Sequence, residues 1–181
     1  MIRTRVGYAG GIQANPTYHD LGDHSETIQI DYDPAQISYQ ELLNVFWSSH
    51  SPTARPWSRQ YASIIFYHDQ EQRRLAEASR DREAASRGSR IYTEIVPFAK
   101  FYLAETYHQK YRLQQVPALL SEFRAIYPQD GEFINSTSAA RVNGYLGGYG
   151  TLAALQACIE DLGLSPAAQQ RLLDLVSAGR P

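Results

Sequence analysis

Glu26-Thr-Ile-Gln-Ile-Asp-Tyr32, then Asp33-Pro34, then Ser38-Tyr-Gln-Glu-Leu-Leu-Asn-Val-Phe-Trp47 is the stretch that decides the fold class. In the first run Ile28, Ile30 and Tyr32 alternate with Thr27, Gln29 and Asp31, the period of a half-buried strand. Asp33-Pro34 ends it. Ser38 then caps a helix whose apolar stripe is Tyr39, Leu42, Leu43, Phe46 and Trp47, spaced for one helical face. A strand followed by an amphipathic helix needs a sheet with a helical layer against it.

The flanking sequence extends this pattern. Arg3 to Tyr8 looks extended, Ala9-Gly-Gly11 breaks it, and Asn15-Pro-Thr-Tyr18 is turn chemistry. Beyond the helix, Pro52 to Pro56 is a loop and Ala62 to Tyr67 a buried strand. Asp69 to Arg87 is a charged surface helix stopped by Gly88, and Tyr92 to Val96 is a short strand. The order strand, strand, helix, strand, helix, strand predicts an α+β fold: a two-layer sandwich with a mixed sheet and a ferredoxin-like core.

The second half is more helical. Ala104 to Gln115 is helical at least in part. Pro117 opens a helix carrying Leu119, Leu120, Phe123, Ile126 and Tyr127 on one side. Asn143 to Gly150 has the composition of a glycine-rich loop. Thr151 caps a helix striped by Leu152, Leu155, Ile159 and Leu162, and Ser165-Pro166 starts another through Leu172, Leu173 and Val176. With no repeat and no linker, residues 1–181 are expected to form one domain, with 151–181 a helical extension packed on it.

Hydrophobic residues make up 43% of the chain, a globular balance. Its net charge of -2 offers no broad basic surface for nucleic acid. No apolar run approaches the roughly 20 residues of a membrane helix. Met1 is followed by Ile-Arg-Thr-Arg rather than an apolar segment, so no secretory signal is expected. The single cysteine, Cys158, precludes an internal disulfide and suits a reducing, cytoplasmic compartment.

Glu26 shares strand parity with Ile28 and Ile30, so its carboxyl is expected on the apolar side, largely buried. Burial raises a carboxyl pKa and lets it donate a proton near neutral pH. The structural alternative is a strand-end glutamate capping a loop. Tyr18 and Tyr61 stand at loop–strand edges, where a phenol can donate to a polar ligand atom or simply form an amphipathic rim. His24, His50 and His108 are too scattered for a metal site, and the glycine-rich loop lacks the context of a phosphate cradle, so neither metal nor cofactor is expected. Cys158 lies beside an apolar stripe next to Glu160 and Asp161, an environment for packing rather than reactivity.

Several segments, in order, resemble one family. They are Arg5-Val-Gly-Tyr-Ala-Gly-Gly11, Asn15-Pro-Thr-Tyr18, His24-Ser-Glu26, Tyr32-Asp-Pro34, Ile37-Ser-Tyr39, Phe46-Trp47, His50-Ser-Pro-Thr53, Gln60-Tyr61, Tyr107-His-Gln-Lys-Tyr111 and Asn143-Gly-Tyr145. Together, from position 3 to position 150, they are similar to the type A methionine sulfoxide reductases; the stretch beyond adds nothing to that match. The resemblance implies reduction of methionine-S-sulfoxide, free or in peptides. A thiolate attacks the sulfoxide sulfur, methionine leaves, and a sulfenic acid remains for a second thiol. It implies Glu26 as proton donor to the sulfoxide oxygen, Tyr18 and Tyr61 as the residues that hold that oxygen, and thioredoxin or another thiol as reductant.

Four departures accompany the resemblance. The family's nucleophile lies in a Gly-Cys-Phe-Trp-Gly segment, and this chain has none. Arg55-Pro-Trp-Ser-Arg59 fills the stretch before Gln60-Tyr61 where an acid is usual. Leu146 stands where many members carry a resolving cysteine, and Ser51 replaces the usual Asp. Two readings follow: a longer catalytic protein whose reading frame starts upstream, or a non-catalytic binding or interaction protein derived from the family. On either, this chain alone is expected to be inactive.

Overall fold

A computed structural model describes residues 2–179; Met1 and the last two residues of the expected extension, Arg180 and Pro181, lie outside them. The elements are β1 (Arg3–Ala9), β2 (Ser25–Asp31), α1 (Tyr39–Ser48), β3 (Ile64–Tyr67), α2 (Gln70–Arg87), β4 (Glu94–Pro97) and β5 (Phe101–Leu103). Then come α3 (Tyr111–Gln114), α4 (Pro117–Ile126), α5 (Asp130–Asn135), α6 (Thr137–Leu146), α7 (Leu152–Cys158) and α8 (Pro166–Ser177). The class is α+β with a helical C-terminal part, as expected. The strands divide between two sheets. One has the order β2-β1-β5, with β1 and β5 antiparallel and Ala9 opposite Phe101. The other pairs β3 and β4 in parallel, with Ile65 opposite Ile95.

The chain forms two compact units, one of Val6–Ala104 and one of Met1–Arg5 with Glu105–Pro181. In the first, α1 begins where expected because Ser38 and Glu41 close a capping box, each side chain serving the other's backbone N–H. Its stripe delivers Leu43 and Trp47 to a core shared with Ile65 and Ala76. The Trp47 indole N–H donates to Ser79 Oγ at 2.9 Å, so this buried donor is satisfied. Gly88 ends α2 in the left-handed conformation that glycine adopts without strain.

In the second unit the core is Leu113, Leu119, Phe123, Phe133, Val142, Leu155, Leu162 and Leu172, joined by partly buried Leu173 and Val176. The α7 and α8 stripes therefore pack on α3 to α6. Lys110 has a positive φ and is almost wholly buried. Its Nζ donates to the carbonyl oxygens of Thr4 and of Ile134, the latter at 2.9 Å. Burial, aided by the nearby Arg5 charge, lowers its pKa to about 8, because an ammonium is costly away from water.

Three features differ from expectation. Asn143 to Leu146 are not loop but the end of α6, which Ser136 caps and which buries Ala139, Ala140, Val142 and Leu146; only the residues after Leu146 turn. The other two are β5 and α5, which the sequence does not announce. They are three and six residues long, below the length at which a period shows.

Candidate active site

The three sequence candidates lie in the Val6–Ala104 unit, on the loop between β1 and β2, on β2, and before β3. The loop is fixed by its own polar groups. Gly11 N–H donates to His24 Nδ1 at 3.1 Å, so that nitrogen is the acceptor. His24 Nε2 then carries the proton and donates to Gln13 O at 2.9 Å, the tautomer being set by the partner of the other nitrogen. The ring is buried, neutral and held at both nitrogens. The Asp23 carboxylate accepts from the backbone N–H groups of Ile12 and Gln13. These donors hold its pKa below the usual range by favouring the charged form. A side chain at position 11 would bring its Cβ within 2.4 Å of Asp23 Oδ1, so only glycine allows this closure.

Tyr18 stands on that loop, beside reciprocal backbone hydrogen bonds between Thr17 and Asp20. It is 38% exposed and packs edge-on to His19. Tyr61, 44% exposed, lies tilted against Trp57 with centroids 4.8 Å apart. Glu26 takes its place through two contacts with Gln60, the residue before Tyr61. Its backbone N–H donates to Gln60 O at 3.0 Å, and its carboxylate accepts from Gln60 Nε2 at 2.8 Å. Ser25 Oγ donates to Arg59 O at 2.6 Å, fastening the start of β2 to the same segment. Glu26 and the Gln60-Tyr61 pair are therefore neighbours, and Tyr18 belongs to the loop that runs into Glu26.

The expectation that Glu26 is largely buried is overturned: it is exposed. Its parity with Ile28 and Ile30 holds, but that face carries little cover, and Ile28 is itself 56% exposed. The desolvation on which the proton-donor argument relied is therefore not present in this structure. Beyond Glu26 runs a groove of about 400 Å³. Every residue from Ser25 to Tyr32 lines it. Both parities take part, so the groove follows the edge of β2 rather than one face. Leu42 and Phe46 of α1 and Ile64 and Phe66 of β3 line its other sides. Of the three candidates only Glu26 lines this groove; an acid in an apolar groove suits a ligand that combines a polar group with an apolar body.

Nothing in the sequence marked Gln60 as the carboxylate's partner or Trp57 as the support of Tyr61, although both flank the Gln-Tyr pair. Cys158 lies in the other unit, its Sγ 3.7 Å from Tyr145 Oη. Burial, then the contact with Cys158, raises the Tyr145 pKa. Among the described residues no group of three His, Cys, Asp or Glu could hold a metal ion.

Residues 1–140 match the sequence profile of a family described as peptide methionine sulfoxide reductase. Residues 129–174 match that of a selenoprotein methionine sulfoxide reductase A helical domain. The similarity thus extends into the helices that, from sequence, added nothing to the match. A peptide methionine sulfoxide reductase of Drosophila melanogaster is 45% identical over 172 residues, covering 94% of this chain and 69% of that protein. The peptide methionine sulfoxide reductase A5 of Oryza sativa subsp. japonica is 44% identical over 151 residues, and the match covers 80% of this chain and 59% of that protein. The crystal structure of reduced Mxr1 from Saccharomyces cerevisiae superposes with a TM-score of 0.58 at 29% identity, over 63% of this chain and 71% of that one.

Proposed function

Because this chain belongs to the peptide methionine sulfoxide reductase family, we propose that its site serves the reduction of methionine-S-sulfoxide in repair of oxidised protein. The observation that carries this is the fastening of Glu26 to Gln60-Tyr61 beside the loop bearing Tyr18. The sulfoxide oxygen is a strong acceptor, and the tyrosine hydroxyls donate to it. Glu26 supplies the proton that oxygen needs as its bond to sulfur breaks. Glu26 is open to water in the free chain, and a docked substrate excludes that water from the reacting oxygen. The thiol in this reaction ends as a sulfenic acid, and thioredoxin or another thiol reductant returns it.

The chain's one thiol, Cys158, is taken up in contact with Tyr145 within the helical unit. We therefore propose that these 181 residues bind the sulfoxide but do not reduce it, since no positioned thiolate is at hand to form the covalent intermediate. The competing reading is a binding protein with no catalytic role, and a binding assay with both epimers separates the two. A peptide holding the S epimer should bind several-fold more tightly than its R epimer or the parent methionine peptide. Tyr61→Phe and Tyr18→Phe should each remove much of that preference, about threefold to tenfold for one lost hydrogen bond. Equal binding of all three peptides would remove the catalytic reading. Turnover with dithiothreitol that Cys158→Ser abolishes would instead make Cys158 the nucleophile.

A further inference from the structure

In the same unit as Glu26, an open pocket of about 700 Å³ is lined by Arg55, Arg80, Arg90, Tyr92, Thr93 and Glu94, among others. Its charges do not balance. Arg59 pairs with Glu94 at 2.6 Å, and Arg80 with Asp81 at 3.2 Å. Neither Arg55 nor Arg90 has a carboxylate partner among the described residues. The lining thus carries three guanidiniums, those of Arg55, Arg80 and Arg90, against the one carboxylate of Glu94, in a chain whose net charge is -2. Solvated surface arginines usually wander. Here the Arg90 guanidinium lies over the Tyr92 ring, 5.1 Å from its centroid, so its plane is already oriented. Thr93, in the same wall, is buried, and its hydroxyl has no partner among the described residues.

We propose that this pocket is a subsite for the carboxylate side chains of a peptide substrate, selecting oxidised methionines that have acidic residues nearby in sequence. The inference rests on the function proposed above. One segment joins the two places: Arg59 presents its carbonyl to Ser25 and its guanidinium to Glu94 in the pocket wall. Arg55 to Tyr61 is six peptide steps, so the two lie within about 20 Å and an extended peptide covers the interval in about six residues. Arginine suits the task because its planar fork matches a carboxylate and keeps its charge at any physiological pH.

The test uses the full chain and blocked peptides containing methionine-S-sulfoxide. One set carries glutamates four to six residues to either side, and a matched set carries glutamines. At low salt the better-placed glutamate peptide should bind about threefold to fivefold more tightly than its glutamine counterpart. Arg55→Ala and Arg90→Ala should each erase most of that advantage. Arg82→Ala, an equal charge change at an exposed α2 position outside the pocket, should leave it intact. Inorganic phosphate should compete only for the advantage. Equal binding of glutamate and glutamine peptides, or the same loss from Arg82→Ala, would overturn the subsite. If oxidised peptides bind no better than methionine peptides while the Arg-dependent glutamate advantage persists, the subsite stands and the sulfoxide reading fails.

Discussion

Lys110 offers a sharp test of the energetics because its effect has a pH signature. Replacing it with Met keeps the length and the apolar stem at the same left-handed position but removes the ammonium that donates to Thr4 O and Ile134 O. At neutral pH two effects oppose: two buried carbonyls lose a donor, and a buried charge disappears. The pH dependence is not ambiguous. The lysine titrates at about 8 in the folded chain against 10.5 ordinarily. Between those values the unfolded chain binds more protons, so stability contributed by the lysine rises with pH. From about pH 7.5 to about pH 9.5 the lysine chain should gain roughly 2 kcal/mol on Lys110→Met. Urea unfolding of both proteins, followed by far-UV circular dichroism at four pH values, measures the difference. A flat difference would refute a buried lysine that folding discharges; a falling one would mean its partners outweigh burial.

The hairpin of α7 and α8 supplies Leu155, Leu162 and Leu172 to the core of the helical unit, so deleting the chain from Thr151 onward should cost solubility and thermal stability together. A truncated chain that melts unchanged would make the hairpin a docking element instead. In the other unit, Ser79→Ala strips the Trp47 indole of its buried acceptor. It should cost about 1–3 kcal/mol in denaturant unfolding followed by tryptophan fluorescence, with no change in the far-UV spectrum. A change below about 0.5 kcal/mol would show the indole satisfied elsewhere.

What the sequence made legible was whatever repeats over a long enough stretch or ends in a distinctive residue. β2, α1 and α2 were legible for that reason, down to Ser38 at one cap and Gly88 at another. β5 escaped because three residues carry no period, and its partner β1 lies far back in the chain. Gly144, Gly147, Gly148 and Gly150 suggested a loop, yet α6 runs to Leu146 because its buried face outweighs the propensity of one glycine. At the site, parity predicted a buried Glu26, and the structure leaves it exposed. Whether that face is covered is a tertiary fact, and no pattern in one strand contains it. The partnership of Glu26 with Gln60, and of Tyr61 with Trp57, likewise depends on how a loop closes rather than on any local signal.

The helical unit is assembled from both sides of the other one in sequence: Thr137 Oγ1 donates to Ile2 O, and Arg5 Nε to Asn135 Oδ1 at 2.8 Å. During synthesis the unit of residues 6–104 has all its chain in hand before Glu105 is made, and can collapse at once. Residues 2–5 must wait, because their eventual neighbours Asn135 and Thr137 are made only after the whole of the other unit. Closing so long a loop is slow, and it leaves Leu119, Phe123 and Phe133 uncovered until α8 has emerged. The vulnerable interval therefore runs from the making of Glu105 to the emergence of α8, and a chaperone that spares the chain from aggregation then has to hold helices rather than strands.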